Sequence, residues 1–364
     1  MVGQYRPIIK TKEIKKLIGG ILDSGQYVNG MYNKSLNAML SKIYKGSSVL
    51  TCNGTQALTS IFYELSDRMN SLKVGIPANY HVADVACLKN ISFEFIDVDK
   101  YGVIDIGALK DKTNKIDALL YISIGGIKTK GYRKVQKYCK ENNIVLIVDG
   151  CQAFDVRFKC DIFSLSFFPT KVLWGASGGA IINYSILPKK KFFDIVNLKE
   201  EEWTNCRMDE LNAAIISFNL IKNYSKWRSR RREIANRYNK VIEEKYKDIL
   251  EWTYVDGGIE DTNYYKYFLV FKHHKIKERI QKYFKERDIF LPEIQFPYRF
   301  NHKESFPNAY AFSKKHFCLP CHQYMTNSEV DFVANTLKKA LTYTNLFKQG
   351  KSRLQAKSEQ TNGL

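Results

Sequence analysis

Lys171 closes the run Ser166-Phe167-Phe168-Pro169-Thr170-Lys171, and Gly178-Gly179-Ala180 follows it. Upstream lies Val145-Leu146-Ile147-Val148-Asp149-Gly150-Cys151-Gln152. Four apolar residues, three of them β-branched, that end in a carboxylate read as a buried strand. The lysine run reads as a second strand end that turns sharply. An amine and a buried carboxylate at two strand ends suit a Schiff-base cofactor. The amine holds an aldehyde, and the carboxylate pairs with a pyridinium nitrogen. Pyridoxal 5'-phosphate makes those demands. It also needs an anion site. Val49 to Cys52 reads as a short strand, and Asn53-Gly54-Thr55-Gln56-Ala57-Leu58 as a tight turn into a helix. Such a helix start presents unpaired N–H groups and a positive dipole end. Gly54 lets the backbone come close, and Thr55 adds a hydroxyl. Taken singly, Lys171 is one lysine among many, and the turn could be a plain helix cap.

The elements that must position these groups are legible as patterns. Helical spacing covers residues 12–24, 33–44, 54–65, 105–110 and 131–141. Strand-like runs fall at 73–76, 91–98, 118–122 and 145–148. Strands and helices thus alternate from 49 to 148, which predicts an α/β fold with a mostly parallel sheet covered on both faces. Ligands bind beyond the C-terminal strand ends of such sheets. The Gly54 turn, the Pro77 loop, Asp149 and Lys171 all fall there. A helix from about 209 to 243 is expected to link this large domain (1–225) to a smaller α+β one (226–346). There, 263–271 is strand-like, 276–286 is helical, and 307–312 and then 318–320 precede a last amphipathic helix over 327–341. Residues 347–364 are polar without apolar periodicity, and a disordered tail is expected.

Asp149-x-x-Gln152, the SFFPTK run and the Gly-Gly pair resemble the DegT/StrS-type sugar aminotransferases, a fold-type I pyridoxal phosphate family. The resemblance extends along the chain. Asn53 to Leu58 is similar to the family's Ser-Gly-Thr-x-Ala-Leu phosphate cradle. Asn205-Cys206-Arg207-Met208 is similar to its Asn-Tyr-Arg-Met. The resemblance implies a seven-stranded-type sheet, Lys171 and Asp149 as the catalytic pair, and Gln152 against the cofactor ring. It implies a phosphate held by Gly54, Thr55, Ser166 and Asn205, the last reaching across a homodimer with shared sites. The ring-stacking aromatic falls at His81 or its neighbour Tyr80. It further implies a nucleotide-linked keto-deoxy sugar as acceptor, glutamate or glutamine as donor, and a role in surface-polysaccharide or glycoconjugate biosynthesis. Sugar dehydratases related to the family carry histidine in place of the lysine, so Lys171 favours transamination. Several positions depart from the pattern. His81 stands for the usual aromatic, Ser123 for a histidine, and Ser177 for an acid. Gly30 is a weaker candidate for substrate contact.

At 364 residues, 45% hydrophobic and 26% charged, the composition is that of a globular enzyme. No apolar run reaches the eighteen residues of a membrane span, and the first residues lack a signal-like apolar core. A cytoplasmic protein is expected. The eight cysteines are scattered, as free thiols would be. Cys318-Leu319-Pro320-Cys321-His322 has haem-attachment or zinc spacing but no second ligand pair, so no metal is expected. Lys and Arg number 57 against 37 Asp and Glu, a net +20. Such a field attracts polyanions. The densest cluster, Lys226 to Arg232, could be a solvated helix face or a diphosphate groove. A regulatory or nucleic-acid-binding protein on this fold is the alternative from a different class, and nucleic acid is not the expected partner.

Overall fold

The computed structural model describes residues 2–3, 5, 11–79, 90–112, 115–184, 206–242, 246–294 and 303–361. Tyr80, His81 and Asn205 lie outside them. Twelve strands are present among the described residues: β1 Ser47–Thr51, β2 Leu72–Pro77, β3 Ile91–Ile96, β4 Ala118–Ile122, β5 Ile127–Thr129, β6 Val145–Asp149, β7 Ile162–Ser166, β8 Gly179–Asn183, β9 Leu250–Trp252, β10 Ile259–Thr262, β11 Tyr267–Phe271 and β12 His316–Leu319. Seven form the central sheet in the order β1-β8-β7-β6-β4-β2-β3. Pairing is parallel from β7 through β6, β4 and β2 to β3, and β8 alone runs antiparallel to its neighbours β7 and β1. The fold is therefore the expected α/β type.

The strands read as near-continuous apolar runs because both faces of the sheet are covered. Leu119, Tyr121, Leu146 and Val148 pack on one face, and Ala118, Leu120, Ile122 and Ile147 on the other. That is the period-two alternation of a strand. The second face is covered by α3 (Gly54–Met69), which contributes Ala57, Leu58, Ile61 and Leu65. α1 (Thr11–Ser24) and α2 (Met31–Tyr44) open the chain; α4 (Ile106–Lys110) and α5 (Tyr132–Glu141) follow β3 and β5. A separate apolar cluster gathers Ile234, Tyr238, Leu269, Phe271, Ile280, Phe284, Phe317 and Leu337 around the three-stranded sheet β12-β11-β9.

Three elements differ from the sequence reading. The linking helix is two helices, α6 (Glu210–Lys222) and α7 (Tyr224–Ile242). Asn223 breaks it: its side chain donates to Asn219 Oδ1 at 2.9 Å, a local bond that competes with helix continuation. The strand expected over 263–271 begins later, because Asn263–Lys266 turn between β10, which pairs with β5, and β11. The last helix follows α8 (His274–Lys285) and α9 (Pro307–Lys315), and α10 runs Asn327–Thr361. It extends through most of the segment expected to be an unstructured tail. Lys, Arg, Gln, Ala and Leu are good helix formers, and adding residues to a nucleated helix is cheap.

α2 starts at Gly30, which offers no side-chain cap. Glu210, only 2% exposed, supplies one from α6. Its carboxylate accepts the N–H groups of Tyr32 and Asn33, both at 2.8 Å. A Cβ on Gly30 would lie 2.8 Å from the Glu210 carboxyl carbon. Gly30 thus makes room for this cap.

Candidate active site

The site forms where β1, β6 and β7 end on one side of the sheet. Asp149 closes β6, is 4% exposed, and accepts the Cys151 N–H at 2.8 Å. Ser166 closes β7, two strands' width from β1 across β8. Asn53 caps α3, taking the Gln56 N–H on its side chain at 2.9 Å. Gly54 and Thr55 are then the first two residues of the helix, with their N–H groups at its positive end. Gly54 is wedged: a Cβ there would lie 2.6 Å from Ser166 Cβ and 3.0 Å from Cys151 Sγ. Its backbone is ordinary, so space alone requires glycine. Gly54, Ser166 and Cys151, which precedes Gln152, therefore meet at one point, with Asp149 two residues away.

Burial pushes the Cys151 thiol well above its usual range, and the charge of Asp149 pushes it further; Lys171 acts the other way. All three thus share one electrostatic environment, in which Cys151 stays a neutral thiol. Lys171 is half-buried on the turn after β7, where its N–H donates to Phe168 O at 2.9 Å. Its Nζ lies 5.2 Å from the centre of the Tyr265 ring. Gln152 faces the Ser123–Gly126 turn: its Oε1 accepts the Gly125 N–H at 2.7 Å. Gly125 has φ +67, which a side chain rarely adopts.

Two of the departures from the family pattern, Ser123 and Ser177, have structural roles. Ser123 is fully buried, and its hydroxyl donates to Ile127 O at 2.7 Å, bracing the turn that holds Gln152. Ser177 donates its hydroxyl to Cys52 O at 2.7 Å. Within the Lys226–Arg232 cluster, three cations are already engaged. Arg228 pairs with Asp155 at 3.2 Å and Arg230 with Glu233 at 2.8 Å, while Arg231 is 2% exposed. Arg231 donates to Tyr264 O, Tyr265 O and Cys321 O, and its burial lowers its pKa. Cys318 and Cys321 are both buried, in two different apolar clusters, and burial raises their thiols to about 11 and about 12. Among the described residues, no helix is long and apolar enough to cross a membrane.

Tyr265 and Asn263 were missed in the sequence. Tyr265 stands in a run of aromatics, Tyr264-Tyr265-Lys266-Tyr267-Phe268, that reads as strand core. Only the turn before β11 brings it to Lys171.

The model of the DegT/DnrJ/EryC1/StrS aminotransferase family matches residues 8–338. The chain belongs to this family of pyridoxal phosphate-dependent aminotransferases. It is 25% identical over 287 residues to a UDP-4-amino-4,6-dideoxy-N-acetyl-beta-L-altrosamine transaminase of Campylobacter jejuni, covering 70% of this chain and 75% of that one. Its fold matches Helicobacter pylori PseC, an aminotransferase involved in the biosynthesis of pseudoaminic acid, with TM-score 0.80, 18% identity, and 94% and 99% of the two chains covered. It also matches the PLP form of Spr1654 from Streptococcus pneumoniae, with TM-score 0.79, 20% identity, and 93% and 98% covered. The cofactor is pyridoxal 5'-phosphate, and the residues present fit it. Gly54 and Thr55 stand at the positive start of α3 against Ser166, while a carboxylate and an amine stand at neighbouring strand ends.

Proposed function

We propose that this enzyme transfers the amino group of glutamate, or glutamine, to the keto group of a nucleotide-linked deoxy sugar. The product would enter surface-polysaccharide or glycoconjugate biosynthesis. The observation that carries this reading is the meeting of Gly54, Ser166, Cys151 and Asp149 beside the Lys171 turn. The nucleotide-sugar assignment is supported by what the Campylobacter relative acts on.

When bound, pyridoxal phosphate supplies an electron sink for the carbon that carries the amino group. The protein's own residues do the rest. Gly54 and Thr55, at the positive end of α3, would hold the phosphate with the Ser166 hydroxyl and a second subunit's Asn205, which would make the working unit a homodimer. Asp149 would keep the ring nitrogen protonated. Gln152, whose Oε1 takes the Gly125 N–H, would pack against or hydrogen-bond the ring's other substituents, and His81 or Tyr80 would stack on the ring. Lys171 would hold the aldehyde, and its free amine would move the proton at the amino-bearing carbon of the donor. A positioned base of this kind contributes about 10²–10⁴-fold. Lysine at this position favours transamination over dehydration.

The decisive experiment supplies glutamate and a panel of nucleotide keto-sugars and reads product by mass. An aminated nucleotide sugar, with 2-oxoglutarate formed in equal amount, is expected. Unchanged sugars across the panel, from protein that binds pyridoxal phosphate at Lys171, would remove the substrate assignment. Asp149→Asn should weaken cofactor retention and suppress turnover by more than tenfold, as a lost charged hydrogen bond of about 1.5–3 kcal/mol requires. Wild-type behaviour in both would remove Asp149 from the catalytic pair.

A further inference from the structure

The Lys171 amine faces a ring that arrives from a distant part of the chain. Its Nζ is 5.2 Å from the centre of Tyr265, within cation–π range. The Tyr265 hydroxyl lies 3.4 Å from the Oγ1 of Thr170, the residue before Lys171. Ring and amine are therefore tied to the same turn.

The segment that delivers Tyr265 is fixed at many points. Asn263 donates its Nδ2 to Gln152 O at 3.0 Å and Phe154 O at 3.1 Å, while its Oδ1 accepts the Tyr265 N–H at 2.9 Å. Backbone bonds join Asn263 N to Gly126 O and Lys266 N to Gly125 O. Buried Arg231 takes the Tyr264 and Tyr265 carbonyls at 3.0 and 3.2 Å. Tyr264 itself has φ +53, a left-handed conformation unusual for a bulky residue. Backbone held in such a region by its surroundings marks functional segments more often than ordinary loops. Burial alone would raise the Tyr265 phenol, yet the charge of Lys171, the Thr170 bond, Lys266 and Arg231 outweigh it and lower it.

We propose that Tyr265 is a positioning residue for Lys171, its ring face holding the charged amine whenever that amine is not bonded to the cofactor aldehyde. The proposal rests on the pyridoxal phosphate reading above. A lysine that alternates between bonded and free states needs a resting place near the reacting carbon. A ring face attracts the ammonium without offering a strong acceptor that would keep it once the proton leaves.

The test uses the full-length protein, pyridoxal phosphate as probe, and two readouts besides turnover. Borohydride trapping with peptide mass mapping comes first. A tag on Lys171 in the wild type supports the cofactor reading, and a tag elsewhere overturns that reading before Tyr265 is tested. Covalent capture is then titrated by absorbance at fixed pH. Tyr265→Leu removes the resting place of the free amine, so the capture constant should rise by about 2- to 30-fold. Tyr265→Phe keeps the ring and should stay within about twofold of the wild type. Non-covalent affinity should be the same in Lys171→Ala and Lys171→Ala/Tyr265→Leu, because the ring acts through the lysine. Tyr265→Met replaces the leucine variant if that one does not fold. An unchanged or weakened capture constant in the leucine or methionine variant overturns the proposal. So does a phenylalanine variant that behaves like leucine, or a loss of affinity in the Lys171→Ala background.

Discussion

Gly54→Ala isolates the contact on which the anion cradle depends. The added Cβ would sit 2.6 Å from Ser166 Cβ, 3.0 Å from Cys151 Sγ and 3.1 Å from Ser166 Oγ. Carbon atoms pack at about 3.5–4.0 Å, so α3's first turn must retreat from β7 by about 1 Å. Overpacking of this kind costs about 1–3 kcal/mol. Alanine returns at most about 1 kcal/mol through helix propensity. The apo protein should therefore lose about 0–2 kcal/mol, read from urea denaturation. Cofactor binding should fall further, because an anion held by two N–H groups and the Ser166 hydroxyl cannot keep all three when one side moves. Loss of one charged hydrogen bond of about 1.5–3 kcal/mol predicts about 10- to 100-fold weaker binding in an absorbance titration. Gly54→Ala/Ser166→Gly removes the Cβ–Cβ collision, so the two changes should couple, with stability recovering and affinity not. Gly54→Ala that binds pyridoxal phosphate within about twofold of the wild type would refute the reasoning. So would a loss of affinity fully matched by a loss of fold stability.

Glu210→Ala removes both bonds to the start of α2 and should cost about 2–4 kcal/mol in urea denaturation, with Glu210→Gln recovering part; a change below about 0.5 kcal/mol would dismiss the cap. The pH dependence of stability contains two opposed groups. His316 is fully buried, its Nε2 accepts the Ile294 N–H at 2.8 Å, and burial lowers its pKa from 6.5 to about 4. The folded chain thus refuses a proton that the unfolded chain accepts, and stability present above pH 6.5 falls toward pH 4 by about 3 kcal/mol. Asp99 is raised from 3.8 to about 6, chiefly by burial, so the folded chain takes up its proton first and gains stability over nearly the same interval. Asp99→Asn should remove this compensation and give a steeper fall in stability from pH 6.5 to 4 than the wild type shows; equal slopes would contradict the assignment.

The large sheet and its strand ends were legible because their signals are local. Val145 to Asp149 or Asn53 to Leu58 needs no distant partner to be read. The break at Asn223 was not, because one asparagine in an otherwise helical run is tolerated as often as not. The Glu210 cap joins residues 178 apart in sequence, and the Asn263–Gln152 bond residues 111 apart. No window along the chain contains both ends of such a bond. Tyr265 was hidden by its company: amid tyrosines and phenylalanines, a ring at the site and a ring in the core have the same sequence signature. Composition is equally blind to which charges are paired. Three cations of the Lys226–Arg232 cluster close internal contacts, which composition alone presents as available for a polyanion.

Ser177, which replaces an acid in the family pattern, connects local chemistry to the geometry of the site. Its hydroxyl donates to Cys52 O at 2.7 Å, and its N–H donates to Asn212 Oδ1 at 2.7 Å. Asn212 in turn donates both its N–H and its Nδ2 to Asp209, at 2.7 and 2.8 Å. One polar chain thus runs from the end of β1, through the start of β8, to the start of α6. Cys52 precedes the Asn53 cap, so this chain fixes the residue from which the anion cradle begins. An ionised carboxylate at 177 could not donate to the Cys52 carbonyl and would repel it. The serine is therefore matched to its acceptor, and the surroundings of the cradle are built for a hydroxyl at that position. A substituted position in a family pattern is best judged by what its side chain donates to or accepts from here, not by the residue it replaces.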